Sequence, residues 1–91
     1  MKYALETTGR FKRDLKLAIK RGYNMALLQT VIDLLCAGTP LAEKYKDHAL
    51  TGNWINYREC HVTPDWVLIY KVENDILVLT LTRTGSHSDL F

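Results

Sequence analysis

The chain has 91 residues, of which 47% are hydrophobic and 24% charged, and its formal net charge is +2 at pH 7. These values indicate one globular domain spanning residues 1–91, and they exclude a disordered chain, a collagen-like chain and a coiled coil. Apolar runs of only a few residues exclude a transmembrane helix, and the absence of an apolar leader predicts a cytoplasmic protein without a signal peptide.

The small net charge hides an uneven distribution along the chain. Residues 1–23 carry seven basic side chains against two acidic ones, or +5, whereas residues 24–91 carry five against eight, or −3. A basic segment of this kind is typical of a surface for an anionic partner, although a solvated helix face has the same pattern. Six of the basic residues are Arg10, Lys12, Arg13, Lys16, Lys20 and Arg21.

The first half of the chain predicts a short strand followed by a helical hairpin. Residues 2–6 alternate as a strand does, and Thr7 or Thr8 can cap the helix that follows. The apolar stripe of this helix comprises Phe11, Leu15, Ala18 and Ile19. Gly22 predicts its end, and Asn24 predicts the cap of a second helix. Because the link between the helices is so short, we expect them to be antiparallel.

The second half predicts three strands. After a polar, irregular segment at 41–53, the hydrophobic period changes to two, which predicts strands at 54–62, 66–73 and 76–82. The two later strands are almost continuously apolar, so we expect them in the centre of the sheet, under the helices. The order β-α-α-β-β-β indicates an α+β sandwich of two layers, a helical hairpin on one antiparallel sheet.

Chemistry concentrates in the three histidines, His48, His61 and His87. The chain has no Gly-rich phosphate loop and no room for a Rossmann unit, which excludes kinases and dehydrogenases. It also has no CxxC, HExxH or GxSxG motif. If the last three strands pair as a meander, the strands at 54–62 and 76–82 end at the same edge of the sheet. His87 should therefore lie near His61 and Asp65. His48 joins them only if the segment 41–53 folds over that edge, which the pattern permits but does not require.

The residue types at this edge indicate acid–base chemistry on a phosphodiester. Period two places Glu59 and His61 on one strand face, where a carboxylate can orient an imidazole. A neutral imidazole can take a proton from a ribose 2′-OH, and a protonated one can give a proton to the leaving 5′-oxygen. Arg83 would offset the charge of the phosphorane. The products would be a 2′,3′-cyclic phosphate and a 5′-OH.

The pattern alone leaves other interpretations open. A histidine in a small domain is most often a surface or hydrogen-bonding residue, and the acidic residues could be solvated charges. Three histidines could hold zinc, although none of their spacings is a helical i, i+4 pair. Trp54 and Trp66 are more often core or rim residues than base-stacking platforms. Cys36 and Cys60 are expected to be reduced core thiols.

Three blocks of sequence are specific in content, order and spacing. They are YKDHALTGNW at 45–54, YRECHVTPDWVLIYK at 57–71 and RTGSHSDLF at 83–91. With these blocks the chain resembles the YafQ branch of the RelE-type toxins, the ribosome-dependent mRNA interferases of bacterial type II toxin–antitoxin pairs. The resemblance covers essentially the whole chain. It implies the compact RelE-like fold and metal-independent cleavage of mRNA in the ribosomal A site, with no cofactor, which inhibits translation.

The resemblance also implies roles for individual residues. The family's catalytic positions correspond to His48, His61, Asp65 and His87, and its substrate- and phosphate-binding positions to Arg83, Phe91, Glu59 and Trp66. The family usually has Asp where this chain has Glu59, which keeps the charge on a side chain one methylene longer. Our hypothesis is that His87 is the general acid or its close partner, and that His48 or His61 takes the 2′-OH proton. Asp65 would orient a histidine or hold it protonated.

The resemblance further implies the partners of the protein. The six basic residues of the first helix would dock on ribosomal RNA of the 70S ribosome, and a cognate antitoxin would neutralise the toxin. Operator DNA would be bound only indirectly, through the antitoxin, and no membrane is involved. The competing hypothesis is a non-catalytic RelE-like protein that binds ribosomal RNA or sits in an antitoxin complex; a metal-dependent hydrolase is a third. The presence of all three histidines favours the nuclease.

Overall fold

The computed structural model describes the backbone of residues 2–84 and the side chains of residues 2–81. Its elements are β1 (Ala4–Thr7), α1 (Gly9–Lys20), α2 (Met25–Cys36), β2 (His48–Ala49), β3 (Arg58–Thr63), β4 (Trp66–Glu73) and β5 (Ile76–Thr84). Two 3₁₀ turns, Glu43–Tyr45 and Gly52–Trp54, lie between α2 and β3. In the described part of the chain, no helix is long and apolar enough to cross a membrane.

Local capping determines where the two helices begin and end. Thr8 Oγ1 accepts a 3.1 Å hydrogen bond from the backbone N–H of Phe11, and Asn24 caps α2 in the same way at 3.0 Å. Both caps satisfy N–H groups that a helix start leaves without partners, and both are as predicted. Gly22 follows α1 with φ 79°, a conformation that favours glycine. The hairpin therefore follows from signals within the sequence.

The five strands form one sheet in the order β1-β5-β4-β3-β2. The predicted central strands β4 and β5 are confirmed, and Asn74 and Asp75 join them with φ 52° and 62°, as a tight hairpin turn requires. The prediction of an all-antiparallel sheet is wrong at one edge, because β1 pairs with β5 in parallel. The chain leaves β1 through the helical hairpin and three strands, and that long crossover brings β5 back in the same direction.

One face of the sheet packs against the helices and forms the main core. Its largest contributions from the helices are Phe11, Leu28, Val31, Ile32 and Leu35. Cys36 and Cys60 are buried free thiols in this core, which confirms that prediction. The prediction for Ile19 is wrong, since its side chain is 55% exposed. The packed stripe of α1 ends at Ala18, and Ile19 lies one residue beyond it.

The segment that precedes β3 covers the opposite face of the sheet. Its half-buried residues Leu50, Trp54 and Tyr57 pack against the buried residues Val67, Ile69 and Leu81. The predicted strand at 54–62 is therefore wrong in its first part, because Trp54 ends a 3₁₀ turn and Asn56 has a left-handed φ of 76°. Strand β3 starts at Arg58, and Tyr57 precedes it. This cover adds a partial third layer to the predicted two.

A bulge in β5 decides which residues of that strand face each layer. Tyr70 is in register with Leu79, whereas the preceding residue, Ile69, is in register with Leu81, so Thr80 is an additional residue. Leu79 consequently packs in the main core while Leu81 packs under the opposite cover. Strict alternation would have placed both leucines on one face.

Candidate active site

Strands β2 and β3 bring two histidines to one buried carboxylate. His48 is the register partner of Glu59 across the antiparallel ladder, and His61 follows Glu59 by two residues on the same face. Glu59 Oε1 lies 3.5 Å from Nε2 of His48 and 3.6 Å from Nε2 of His61. The carboxylate is 0% exposed, the imidazole of His48 47% and that of His61 16%. The segment 41–53 thus folds over the edge and joins His48 to the pair that the strand period predicts.

The other nitrogen of each imidazole contacts a backbone carbonyl. Nδ1 of His48 lies 2.7 Å from Lys46 O, and Nδ1 of His61 lies 3.2 Å from Pro64 O. Since a carbonyl oxygen can only accept a hydrogen bond, Nδ1 of each ring carries a proton and is the donor. Nε2 is then the atom of each ring that gains or releases a proton, and both Nε2 atoms face Glu59. A protonated ring at either position forms an ion pair with this carboxylate.

The structure describes only some of the other residues that the sequence predicts for the site. His61, Val67 and Arg83 form one row across β3, β4 and β5. With neighbouring strands about 4.8 Å apart, the Cα atom of Arg83 lies roughly 10 Å from that of His61. Asp65 is exposed in the turn after Pro64, beside the carbonyl that contacts His61. His87 and Phe91 lie outside the described residues.

Trp66 lies on the other side of the sheet, where the structure does not bring it together with the histidines. Its side chain is 3% exposed and meets the ring of Tyr23 edge to face, with centroids 5.2 Å apart. The two aromatic residues line a cleft of about 190 Å³ with Asn24, Leu27, Thr63 and Asp65. Packing under the helical hairpin is therefore the structural role of Trp66.

The basic residues predicted on α1 and at its end are all exposed: Arg10, Lys12, Arg13, Lys16, Lys20 and Arg21. Arg10 differs from the others because its guanidinium lies 5.5 Å from the centre of the Trp54 ring. This cation–π contact ties the start of α1 to the cover of the opposite face. Charge counting predicts the basic surface, but it does not predict this contact.

Sequence reasoning missed a second carboxylate cluster, formed by Asp47, Arg58 and Tyr70. Tyr70 Oη donates a 2.6 Å hydrogen bond to Asp47 Oδ1. Arg58 Nε and Nη2 donate to Oδ1 and Oδ2 of Asp47, each at 3.3 Å. Burial and the bond to Asp47 raise the pKa of Tyr70, and the bond to Asp47 raises the pKa of Arg58. No local sequence pattern predicts a contact between residues 23 positions apart.

A thiol adjacent to this region is chemically silent. Burial, followed by the negative charges of Asp47 and Glu59, raises the pKa of the Cys60 thiol to about 12. The thiolate is the nucleophilic form of cysteine, so Cys60 is not a nucleophile near neutral pH. Within residues 2–84, no group of three or more His, Cys, Asp or Glu side chains is arranged to hold a metal ion. Glu59 and the two imidazoles are the ionisable groups that meet on this face of β2 and β3.

The chain is similar to known proteins over nearly its whole length. Residues 3–91 match the family described as "Bacterial toxin of type II toxin-antitoxin system, YafQ". The chain is 46% identical over 88 residues to the mRNA interferase toxin YafQ of Escherichia coli K12, covering 96% of this chain and 94% of that protein.

Two solved structures show the same fold. YafQ in the crystal structure of the E. coli DinJ–YafQ complex is 42% identical, with a TM-score of 0.86 and 98% of each chain covered. The metal-bound toxin from Helicobacter pylori is also 42% identical, with a TM-score of 0.88 and coverage of 98% of this chain and 99% of that one. The expected RelE-like fold is thereby confirmed. The chain belongs to the YafQ family of bacterial type II toxin–antitoxin toxins.

Proposed function

We propose that this protein is an mRNA interferase toxin that cuts mRNA in the ribosomal A site and so inhibits translation. The observation that carries the proposal is the placement of two imidazole Nε2 atoms within 3.6 Å of one buried carboxylate oxygen, on Glu59. The name of the E. coli relative, an mRNA interferase toxin, supports the same activity. Cytoplasmic localisation is part of the proposal, because that is where ribosomes translate.

The proposed reaction is attack of a ribose 2′-OH on the adjacent phosphorus. His48 or His61 takes the 2′-OH proton at Nε2, and the bond from phosphorus to the 5′-oxygen breaks as the new bond forms. His87 or its close partner gives a proton to the departing 5′-oxygen, and Arg83 offsets charge on the phosphorane. The products are a 2′,3′-cyclic phosphate and a 5′-OH. Glu59 orients both imidazoles, and Asp65 orients a histidine from the neighbouring turn.

Metal independence is a separate part of the proposal. Imidazole and carboxylate groups suffice for the proton transfers, because neutral and protonated imidazole coexist near pH 6.5. In the described portion of the chain, the acidic residues and histidines offer no arrangement for a metal ion. The metal-bound form of the H. pylori toxin makes a direct test of this point necessary.

The ribosome and an antitoxin are the proposed partners. The exposed cations of α1 support docking on ribosomal RNA, since each phosphate contact releases counterions. The ribosome would also hold the mRNA in line for the 2′-OH attack. The DinJ–YafQ complex supports a cognate antitoxin partner for this chain. Binding of operator DNA would pass through that antitoxin.

The test is primer extension on a defined mRNA with purified toxin, in the presence and absence of 70S ribosomes. We expect discrete cuts at the A-site codon with ribosomes and none on free mRNA. Toxin that has been stripped of metal with EDTA should cut as well as untreated toxin when both are assayed at the same Mg²⁺ concentration. Translation arrest with intact mRNA would identify the non-catalytic blocker instead. Cutting that EDTA treatment abolishes and added metal restores would reject metal independence while leaving the nuclease intact.

A further inference from the structure

The carboxylate cluster of Asp47, Arg58 and Tyr70 holds the edge strand β2 from the helix side of the sheet. Asp47 accepts one hydrogen bond of 2.6 Å from Tyr70 and two of 3.3 Å from Arg58. Tyr70 is 3% exposed and belongs to the main core, so its hydroxyl has a rigid base. Hydrogen bonds to an ionised acceptor are among the stronger ones in proteins. Asp47 is therefore well anchored although the segment around it is largely exposed.

Strand β2 is short, and its neighbour Leu50 provides the other nearby restraint, by packing under the opposite face of the sheet. The strand consists of two residues, which pair as His48 with Glu59 and Ala49 with Arg58. Both residues are exposed, so side-chain burial contributes little to the pairing. Two ladder pairs and the 3.0 Å hydrogen bond from Leu50 N–H to Tyr57 O form only a short ladder, and a slip by one residue would turn every side chain to the opposite face.

The alternation of the backbone links the anchor to the active site. Asp47 immediately precedes His48, and successive side chains of an extended chain point to opposite faces. With Asp47 held by Tyr70 on the helix side, His48 faces the opposite side, where its Nε2 lies 3.5 Å from Glu59. The 2.7 Å contact from His48 Nδ1 to Lys46 O then orients the ring itself.

We infer that Tyr70 and Arg58, acting through Asp47, are positioning residues for His48. The inference rests on the proposed function, since it concerns the geometry of the proposed proton-transfer site. It assigns Tyr70 and Arg58 no contact with substrate. The rival explanation is that the cluster only stabilises the fold.

The first test is the single-turnover cleavage rate on saturating, programmed ribosomes for Tyr70→Phe. We expect a rate constant about tenfold lower, because one hydrogen bond to a charged group is lost, with an unchanged half-saturating ribosome concentration. Tyr3→Phe is the matched control, since it removes the hydroxyl of a half-buried tyrosine before β1, at the opposite edge of the sheet from β2. This control should cut at the wild-type rate. A Tyr70→Phe rate within twofold of wild type, measured below its melting temperature, would overturn the inference.

The second test needs no ribosome. Imidazole ¹H–¹⁵N spectra of the full chain, assigned with His48→Gln and His61→Gln, report the environment of each ring. In Tyr70→Phe we expect the His48 signals to shift and broaden, and the His61 signals, which report the shared carboxylate, to change less. Unchanged His48 signals would contradict the inference even if the rate fell. Should wild-type protein fail to cut, the proposed function fails, and these spectra still decide whether Asp47 positions His48.

Arg58→Gln covers the case in which Tyr70→Phe does not fold. The side chain of Arg58 is 45% exposed, so its replacement leaves the core intact. We expect a three- to fivefold lower cleavage rate and the same selective change in the His48 signals. Wild-type values of both quantities would overturn the inference.

Discussion

His48 and Glu59 face each other across the β2–β3 ladder, one imidazole half-exposed and one carboxylate fully buried. Nε2 of His48 and Oε1 of Glu59 are 3.5 Å apart, and the same oxygen is 3.6 Å from Nε2 of His61. The two rings are therefore exposed to solvent to different extents, while both lie beside the same buried carboxylate. Loss of this shared anion should therefore affect both imidazoles together.

Replacing Glu59 by Gln preserves its shape and removes its charge. We expect the single-turnover cleavage rate to fall about 100-fold, because both imidazoles lose the anion that orients them. Stability should be equal or higher, since a buried charge is replaced by a neutral amide. Glu73→Gln removes a carboxylate that is 62% exposed and serves as control. Glu59→Asp keeps the charge, and we expect it to cut within tenfold of wild type. Equal rates for Glu59→Gln and wild type would contradict the role of this carboxylate.

His48→Gln and His61→Gln should each lower the cleavage rate by about 100-fold or more. Because both rings act on one reaction through one carboxylate, the double variant should lose little more than the worse single variant. Single-turnover rates of the three variants, with melting temperatures recorded alongside, provide the measurement. If the two losses multiplied in the double variant, the histidines would act independently and the shared unit would be wrong.

The basic surface of α1 predicts a salt-dependent association with ribosomes. Neutralising Lys12, Arg13 and Lys16 together should reduce the slope of log affinity against log salt concentration by about 2–3, since each phosphate contact contributes roughly 0.7–0.9. Binding to 70S ribosomes between low and moderate salt measures this slope. The double variant Lys2→Gln with Lys44→Gln removes exposed cations outside α1 and should keep it. The same slope in the triple variant and wild type would place the contact surface elsewhere.

The thiol of Cys60 predicts a loss of stability in alkali. Its pKa is raised to about 12 in the folded protein against an ordinary value near 9, chiefly by burial. Below pH 9 both states keep the proton and the stabilisation is complete; as the pH rises from 9 towards 12, only the unfolded state ionises. The free energy of unfolding should then fall by about 1 kcal/mol more in wild type than in Cys60→Ala between pH 8 and 10. Urea titrations check this, and parallel curves for the two proteins would contradict it.

The elements with local signals are the ones that the sequence predicts well. Strand β4 has its predicted ends, since its apolar run is bounded by turn residues on both sides. The caps Thr8 and Asn24 act within three residues of themselves. The start of β3 and the whole of β2 were missed, because both depend on contacts between segments distant in sequence. The parallel pairing of β1 with β5 likewise joins segments from opposite ends of the chain, so no local pattern predicts it.

The same distinction holds for the site. The pairing of Glu59 with His61 follows from strand period, whereas the position of His48 beside Glu59 depends on the pairing of β2 with β3. The opposite placement of Leu79 and Leu81 depends on a bulge that alternation in the sequence conceals. Charge counting located the basic helix, but the contact of Arg10 with Trp54 is visible only in three dimensions.

The central claim is that the imidazoles on Glu59 serve attack by a ribose 2′-OH. The most direct measurement uses programmed ribosomes whose mRNA carries a single 2′-deoxy nucleotide on the 5′ side of the scissile phosphate. The account predicts that this substrate binds with unchanged affinity and is not cut, while the all-ribose mRNA yields a 2′,3′-cyclic phosphate and a 5′-OH. Cleavage of the deoxy substrate at the same phosphate would contradict it.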